Sequence, residues 1–555
     1  MRAHPIVSCA AVSVLLALGM PPTTAFAALG FGSSALLDSA DTGNHDQNPS
    51  VAHDGSGNWV AVWTSGGMAG ADYDIRISRS SDNGVSWTPS VTLNSNAATD
   101  SGNDLAPVVA TDGSGHWVCV WTSDDTLGNT VGSDLDIFVA RSSDNGMTWT
   151  AVAALNTNAA TDSGDDTNPS LCTDGLGNWI AAWHSDDTLG DTIGSDYDIL
   201  VSRSMDNGAN WTAPAKLNKN AATDTGDDRF VDVATDGAGN WLATWTSDED
   251  LEGMTGTEGD IFASRSTNNG TTWTAVTALN SNATTDSGAD IGSKVATDGA
   301  GTWVVVWSSK DDLGDTIGTD DDILFARSTD DGDSWSVPAA LNTNAASDSG
   351  NDVSPWIASE GSGKWVAVWT SNDSLGGAVG SDNDIFVSRS SNNGATWIAP
   401  SVVNVYADVD YGADWNPVAA YGGDGSWIVV WYGGNQPDGS PSFDNEILFA
   451  SSNSVFVDSL RIVSPNGGES WRIGKKAKIE WISSGVPGSR VTLDLLRNGN
   501  TVRTIKDSTR NDGKQRWKVP ASVSAGNGYK VRITSTTNDD ITDSSDAKFR
   551  IKSEE

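Results

Sequence analysis

The sequence predicts an all-β protein: a seven-bladed β-propeller followed by a small β-sandwich, with six blades as the alternative count. Three observations predict it. Trp87, Trp149, Trp211, Trp273, Trp335 and Trp397 stand 62 residues apart, each closing an octet such as SSDNGMTW. A W-x-x-x-W pair occurs seven times, from Trp59/Trp63 to Trp427/Trp431. Charge then changes sign: residues 459–555 hold 18 Lys+Arg against 11 Asp+Glu, and the remainder 14 against 62.

The first element in chain order is a leader. Arg2 and His4 precede an apolar run from Ala10 to Met20, and Ala25-Phe26-Ala27 has the small-residue pattern of a cleavage site. Residues 1–27 therefore read as a signal peptide, and the mature chain is expected to be secreted, extracellular or at the cell surface. No later run approaches the roughly 18–20 apolar residues of a spanning helix, so no membrane insertion is expected. Once Cys9 is removed, Cys119 and Cys172 remain, too few for a disulfide scaffold. Both fall in strand patterns and read as small buried hydrophobes, with a bridge between neighbouring blades as the alternative.

Residues 28–457 are expected to form the propeller. In the second repeat, Pro107–Ala110 reads as a strand, Trp117–Trp121 as the next, Asp136–Ala140 as the third, and Trp149–Leu155 as the fourth. Period two puts Trp117, Cys119 and Trp121 on one face. The last W-x-x-x-W unit loses its octet and fourth strand near Ser452, while Ala35-Leu36-Leu37-Asp38 matches the fourth-strand sequence Val91-Thr92-Leu93-Asn94. The N-terminal segment is thus expected to complete the last blade and leave no open sheet edge.

The six octets resemble the Asp-box, S-x-D-x-G-x-T-W, of bacterial neuraminidases (sialidases) and related propellers; Asn268 and Asn392 replace the Asp in two copies. The resemblance implies a fold element on the turn between the third and fourth strands, away from the active site. Turn chemistry agrees, since Ser and a short carboxylate or amide bond turn backbone and Gly takes φ > 0.

The loops at the other end of each blade are acidic. One family carries D-x-G-x-D, as in Asp100/Asp104, Asp162/Asp166, Asp224/Asp228, Asp286/Asp290, Asp348/Asp352 and Asp410/Asp414, with Asp41/Asp46 a looser copy. The other ends in an acidic pair two apart, as in Asp134/Asp136, Asp196/Asp198 and Asp320/Asp322. Such carboxylates are hard oxygen ligands suited to Ca²⁺, the expected cofactor; Asx-turns and solvated loop ends are the alternative. A domain this acidic is not expected to bind nucleic acid.

The repeats diverge just after D-x-G-x-D, where the channel rim is expected. Arg229, Asp232, Lys294, Trp356 and Trp415 stand there. The tryptophans suit a sugar or planar ligand and the cations an anion; channel packing and an Asp232–Lys294 ion pair are the alternative. The expected partner is a glycan or cell-surface polymer, bound by a monomer without catalysis, and no catalytic residue is assigned. The rival is a sialidase-type glycoside hydrolase. The sialidase resemblance implies an arginine triad and a Phe/Tyr-Arg-Ile-Pro motif, but that motif is missing, and Arg79, Arg141, Arg203, Arg265, Arg327 and Arg389 precede the octets, at the wrong end of the blade.

Residues 458–555 form the last domain. The series Ser464-Pro465-Asn466-Gly467-Gly468-Glu469-Ser470-Trp471, Ile479-Glu480-Trp481, Trp517-Lys518-Val519-Pro520 and Phe549-Arg550-Ile551 resembles the immunoglobulin-like domain of the yeast cell-wall glucan-assembly and Ser/Thr-rich surface protein family. The resemblance implies a surface-association or sorting role. Trp471, Trp481 and Trp517 are expected in its core.

Overall fold

The computed structural model describes residues 31–37, 44–67, 72–99, 101–251, 258–284, 288–377, 379–404, 406–407, 412–423, 425–435, 441–452, 459–484, 490–511, 513–536 and 541–554. The leader and the loop carboxylates Asp41, Asp100, Asp286 and Asp410 lie outside the described residues. The described chain divides into two compact units at Ser459/Leu460.

Among the described residues, the first unit contains seven four-stranded antiparallel sheets, one per repeat. Blade 2 is representative, with strands Asp104–Thr111, Trp117–Ser123, Asp136–Ser142 and Ala153–Ala154 side by side in that order. Two strands differ from the sequence expectation. The first starts at Asp104 because a β-bulge between Leu105 and Val108 lets pairing with the second strand continue on both sides of it. The fourth is two residues long rather than spanning Trp149–Leu155. The indole N–H of Trp149 turns back to donate to Gly146 O at 3.1 Å, and only Thr150 N and Leu155 N rejoin the third strand around the short pairing.

The bulge recurs in every blade and sets Asn48, Ala106, Asn168, Phe230, Gly292, Ser354 and Asn416 at φ between 49° and 68°. That region is unfavourable for most side chains. Neighbouring blades compensate. Ala106 N donates to Thr64 Oγ1 at 3.1 Å, Asn168 N to Thr122 Oγ1 at 3.1 Å and Gly292 N to Thr246 Oγ1 at 2.9 Å. In blade 3 His184 takes the threonine's place, and its Nδ1 accepts from Phe230 N at 3.4 Å.

The cores lie between blades. Trp117, Cys119 and Trp121 pack on Val60 and Val62 of blade 1, while Val118 and Val120 pack on Trp179 and Trp183 of blade 3. The period-two face is as expected, and every W-x-x-x-W tryptophan is buried. Each such ring removes about 150–250 Å² from water, worth about 4–6 kcal/mol at ~25 cal/mol/Å². Cys119 and Cys172 are free thiols. No bridge forms because Cys119 packs toward blade 1 and Cys172 toward blade 4. Burial, with Asp232 nearby, pushes the Cys172 thiol up to about 12.

The ring closes as expected for seven blades, and the six-blade alternative falls. Ala35 and Leu36 pair antiparallel with Phe449 and Leu448, Phe31 bridges Ser452, and Leu37 N donates to Ile447 O at 2.9 Å. Val418, Ile428 and Val430 of blade 7 then pack on Val51, Trp59 and Trp63 of blade 1.

The second unit is a sandwich. One sheet has Lys476–Ser484 between Ser459–Ser464 and Lys514–Lys518. The other is six-stranded and centred on Gly526–Ser535 and Arg490–Arg497. Ile462, Ile479, Trp481, Leu493, Val531 and Phe549 form its core, with Trp471 buried in it and Trp517 packed against it.

Candidate functional site

The two acidic loop families meet at the blade junctions. Asp134 and Asp136 join Asp162, Asp196 and Asp198 join Asp224, and Asp320 and Asp322 join Asp348. In each triad one oxygen from every carboxylate lies within 4.8 Å of the others. Glycines make this possible. A Cβ at Gly132 would overlap the Asp134 carboxylate, and Gly194 and Gly318 stand in the same relation to Asp196 and Asp320. A Cβ at Gly164, the centre of D-x-G-x-D, would overlap the backbone of Asp187.

The D-x-G-x-D residues therefore part company. Asp162 enters the triad, and neither of its oxygens has a hydrogen-bond partner. Asp166 stands behind it, accepting from Trp183 Nε1 at 2.8 Å and Asn156 Nδ2 at 2.7 Å. Asn156 Nδ2 also donates to Asp136 Oδ1 at 2.6 Å, and Asn156 Oδ1 accepts from Ile137 N at 3.1 Å. Asp104 repeats the pattern with Trp121 at 2.8 Å and Asn94 at 2.6 Å. Asp228 and Asp352 accept from Asn218 and Asn342, each at 2.7 Å. Asp104, Asp166, Asp228 and Asp352 thus anchor the layer behind the carboxylate clusters. Sequence reasoning missed the asparagines, although the signal was present as L-N at 93–94, 155–156, 217–218, 279–280 and 341–342.

Each triad concentrates buried negative charge. Asp136, Asp198 and Asp322 are fully buried, and Oδ2 of each lacks a partner. Burial pushes Asp136 up to about 7, with repulsion from Asp162 and Asp134 adding and the Asn156 bond opposing. Burial and then Asp187 push Asp162 up to about 6. Burial likewise takes Asp198 and Asp322 to about 7, and Asp224 and Asp348 to about 6. An unpaired buried charge costs several kcal/mol. Three converging carboxylates with donor-free oxygens fit a hard divalent cation, which reverses that local field.

The bulges converge on the channel mouth, a cavity of about 660 Å³ whose walls include Pro107, Phe230, Ile291, Lys294, Lys310 and Trp356. Lys294 Nζ lies 3.6 Å from Asp232 Oδ1 and 5.2 Å from the centroid of Trp356. Asp232 also stitches blades 3, 4 and 5, accepting from Ser170 Oγ at 3.1 Å and Val295 N at 2.9 Å. The Trp356 indole N–H donates to Ala419 O at 3.0 Å. Arg229 pairs with Asp227 at 2.6 Å and lies 4.7 Å over the Tyr197 ring. Trp415, paired in register with Tyr432, is not among the lining residues. The structure therefore gathers Asp232, Lys294 and Trp356, and leaves Trp415 apart from them.

The opposite loops are structural. In one Asp-box, Ser142 Oγ donates to Asp144 Oδ1 at 2.7 Å, Thr148 N to the same oxygen at 2.8 Å, and Gly146 N to Ser142 Oγ at 2.9 Å. Asn268 accepts the equivalent bonds from Ser266 and Thr272. Arg79 and Arg203 donate to Asn145 O and Asn269 O of the following blades, each at 2.9 Å, and Arg265 meets Asp333.

No helix of the described residues is long and apolar enough to cross a membrane. Residues 464–551 match the family described as the Kre9/KNH-like N-terminal Ig-like domain. No curated protein matches the chain. Similar solved structures include the Hadza microbial sialidase Hz136, at 13% identity and TM-score 0.38, over 74% of this chain and 65% of that one. The chain thus spans just under two thirds of that sialidase's length. Others are a Dyadobacter fermentans protein of unknown function (13%, TM-score 0.42, 76% of this chain and 98% of that one) and the Penicillium chrysogenum α-L-arabinanase complexed with arabinobiose (12%, TM-score 0.39, 76% and 98%). The chain is a propeller of seven four-stranded blades, six of them with an Asp-box-like octet, followed by a Kre9/KNH-like Ig-like domain.

Proposed function

We propose that this chain is an extracellular, calcium-stabilised binding protein that offers its channel mouth to a glycan or cell-surface polymer without hydrolysing it. The observation that carries the reading is the convergence of buried, donor-free carboxylate oxygens in the blade-junction triads. Cations held there tie the loop family of one blade to that of the next and fix the rim around the mouth. The mouth itself is concave and largely apolar with a few polar groups, the usual character of a ligand seat. Its lining cations are already met by carboxylates, Lys294 by Asp232 and Lys310 by Asp321. The sialidase-type alternative requires an uncommitted arginine clamp for an anionic sugar, whereas Arg79, Arg203 and Arg265 are engaged at the Asp-box end.

The test is calcium titration calorimetry on the mature chain, followed by a glycan array with and without calcium. Multiple calcium sites and calcium-dependent glycan retention are expected. Absence of calcium binding would defeat the metal assignment, and release of a fluorogenic sialoside would establish the rival.

A further inference from the structure

The C-terminal unit carries a second, independent surface. The outer face of its three-stranded sheet presents Arg461, Lys476, Lys478, Lys514, Arg516 and Lys518, all exposed. Inner and outer residues alternate strictly, with Ile462, Ala477, Ile479 and Val519 buried on the other side. The register sets like charges opposite one another, Lys476 against Lys518 and Lys478 against Arg516. Directly opposed like charges destabilise a sheet. Glu480 is the carboxylate on this face; it contacts Lys478 and stands opposite Lys514 in the register.

We propose that this face binds an acidic polysaccharide laid along the strands, an inference that goes beyond the propeller reading. Charges recur about every 6.8 Å along each strand and about 4.8 Å between strands, a two-column ladder of positive charge that suits a linear polyanion. Trp471, Trp481 and Trp517 belong to the core, so the face has no aromatic platform for stacking bases. Val463 and Ile482 are the exposed large hydrophobics of this sheet, too little apolar area for a lipid surface.

The test uses the full chain in EDTA, with polygalacturonate as probe and neutral dextran as control. Wild type should bind polygalacturonate, and salt should weaken that binding. The triple variant Lys476→Ser/Arg516→Ser/Lys518→Ser should bind about tenfold more weakly, the scale expected when three exposed ion pairs with the polymer are removed together. Its melting temperature at low salt should hold or rise, because the opposed charges are gone. Glu480→Gln should strengthen binding about twofold. Equal binding by wild type and the triple variant would overturn the proposal. So would wild-type retention no better on polygalacturonate than on dextran, or tighter retention of duplex DNA or anionic vesicles.

Discussion

Removing calcium should lower the melting temperature of the propeller by about 10 °C. Three triads are present among the described residues. A ligand that binds only the folded state stabilises it by about 2.7 kcal/mol at a hundredfold excess over Kd, so three sites contribute about 8 kcal/mol. Melting entropy near 2.1 cal/mol/K per residue over roughly 400 residues is about 0.8 kcal/mol/K, giving about 3 °C per site. Scanning calorimetry in calcium, in EDTA, and in magnesium at equal ionic strength measures this directly. Asp162→Ala sharpens the test, because neither Asp162 oxygen has a hydrogen-bond partner. In EDTA the variant should melt at or above wild type, since it deletes a buried charge; in calcium it should lose about one third of the calcium-dependent gain. An unchanged melting curve in EDTA, or equal protection by magnesium, would refute the reasoning, since magnesium demands tighter octahedral geometry.

Other expectations concern parts of the fold outside the three triads. Asp144 in its Asp-box is held down to about 2, chiefly by its bonds from Thr148 and then Ser142. Its contribution is therefore complete above the unfolded carboxylate value near 3.9 and lost as pH falls toward about 2. Asp144→Asn should keep the turn, as Asn268 does, and flatten that acid limb in melting curves from about pH 5 to about pH 2. Trp183→Phe should cost about 1–3 kcal/mol in denaturant melts by stripping the indole donor from buried Asp166; no loss would mean that bond is dispensable. Trp356→Ala should lower stability by about 2–4 kcal/mol because the ring packs in the blade 6–7 and blade 7–1 cores. Phe230→Ala, at a residue 44% exposed on the mouth, should leave melting unchanged and weaken glycan retention on the array.

The architecture was readable because repetition multiplies a weak signal. One W-x-x-x-W pair is ambiguous, but seven in register fix the second strand and the face it buries. The match of Ala35-Leu36 to a fourth strand located the closing segment for the same reason. The bulge escaped although proline follows its positive-φ residue in five blades, at Pro49, Pro107, Pro169, Pro355 and Pro417, because Phe230-Val231 and Gly292-Ser293 break that pattern and a proline there reads equally well as the start of a strand. The triads escaped in part. Spacing two or four along the chain suggested local pairs, yet Asp134 and Asp162 meet because the third and fourth strands of blade 2 pair and bring both loops to one end. Asn156 went unnoticed because an amide between two carboxylates has no signature short of the repeat itself. At the rim, Lys294 and Asp232 could be paired on paper, but Trp356 and Trp415 look equivalent until the fold sets one in the cavity wall and the other beside Tyr432.

The closing strand also sets how the ring responds to tension. Phe31 meets Ser452 while Leu36 meets Leu448, so the incoming and outgoing chains leave blade 7 at the same end of an antiparallel pair. A pull between the leader side and the C-terminal unit would load these bonds one after another, as a zipper, rather than all at once in shear. The weakest mechanical element is then a two-residue strand, and its release would expose the edge of the strand at 441–452 while the other six blades remain intact.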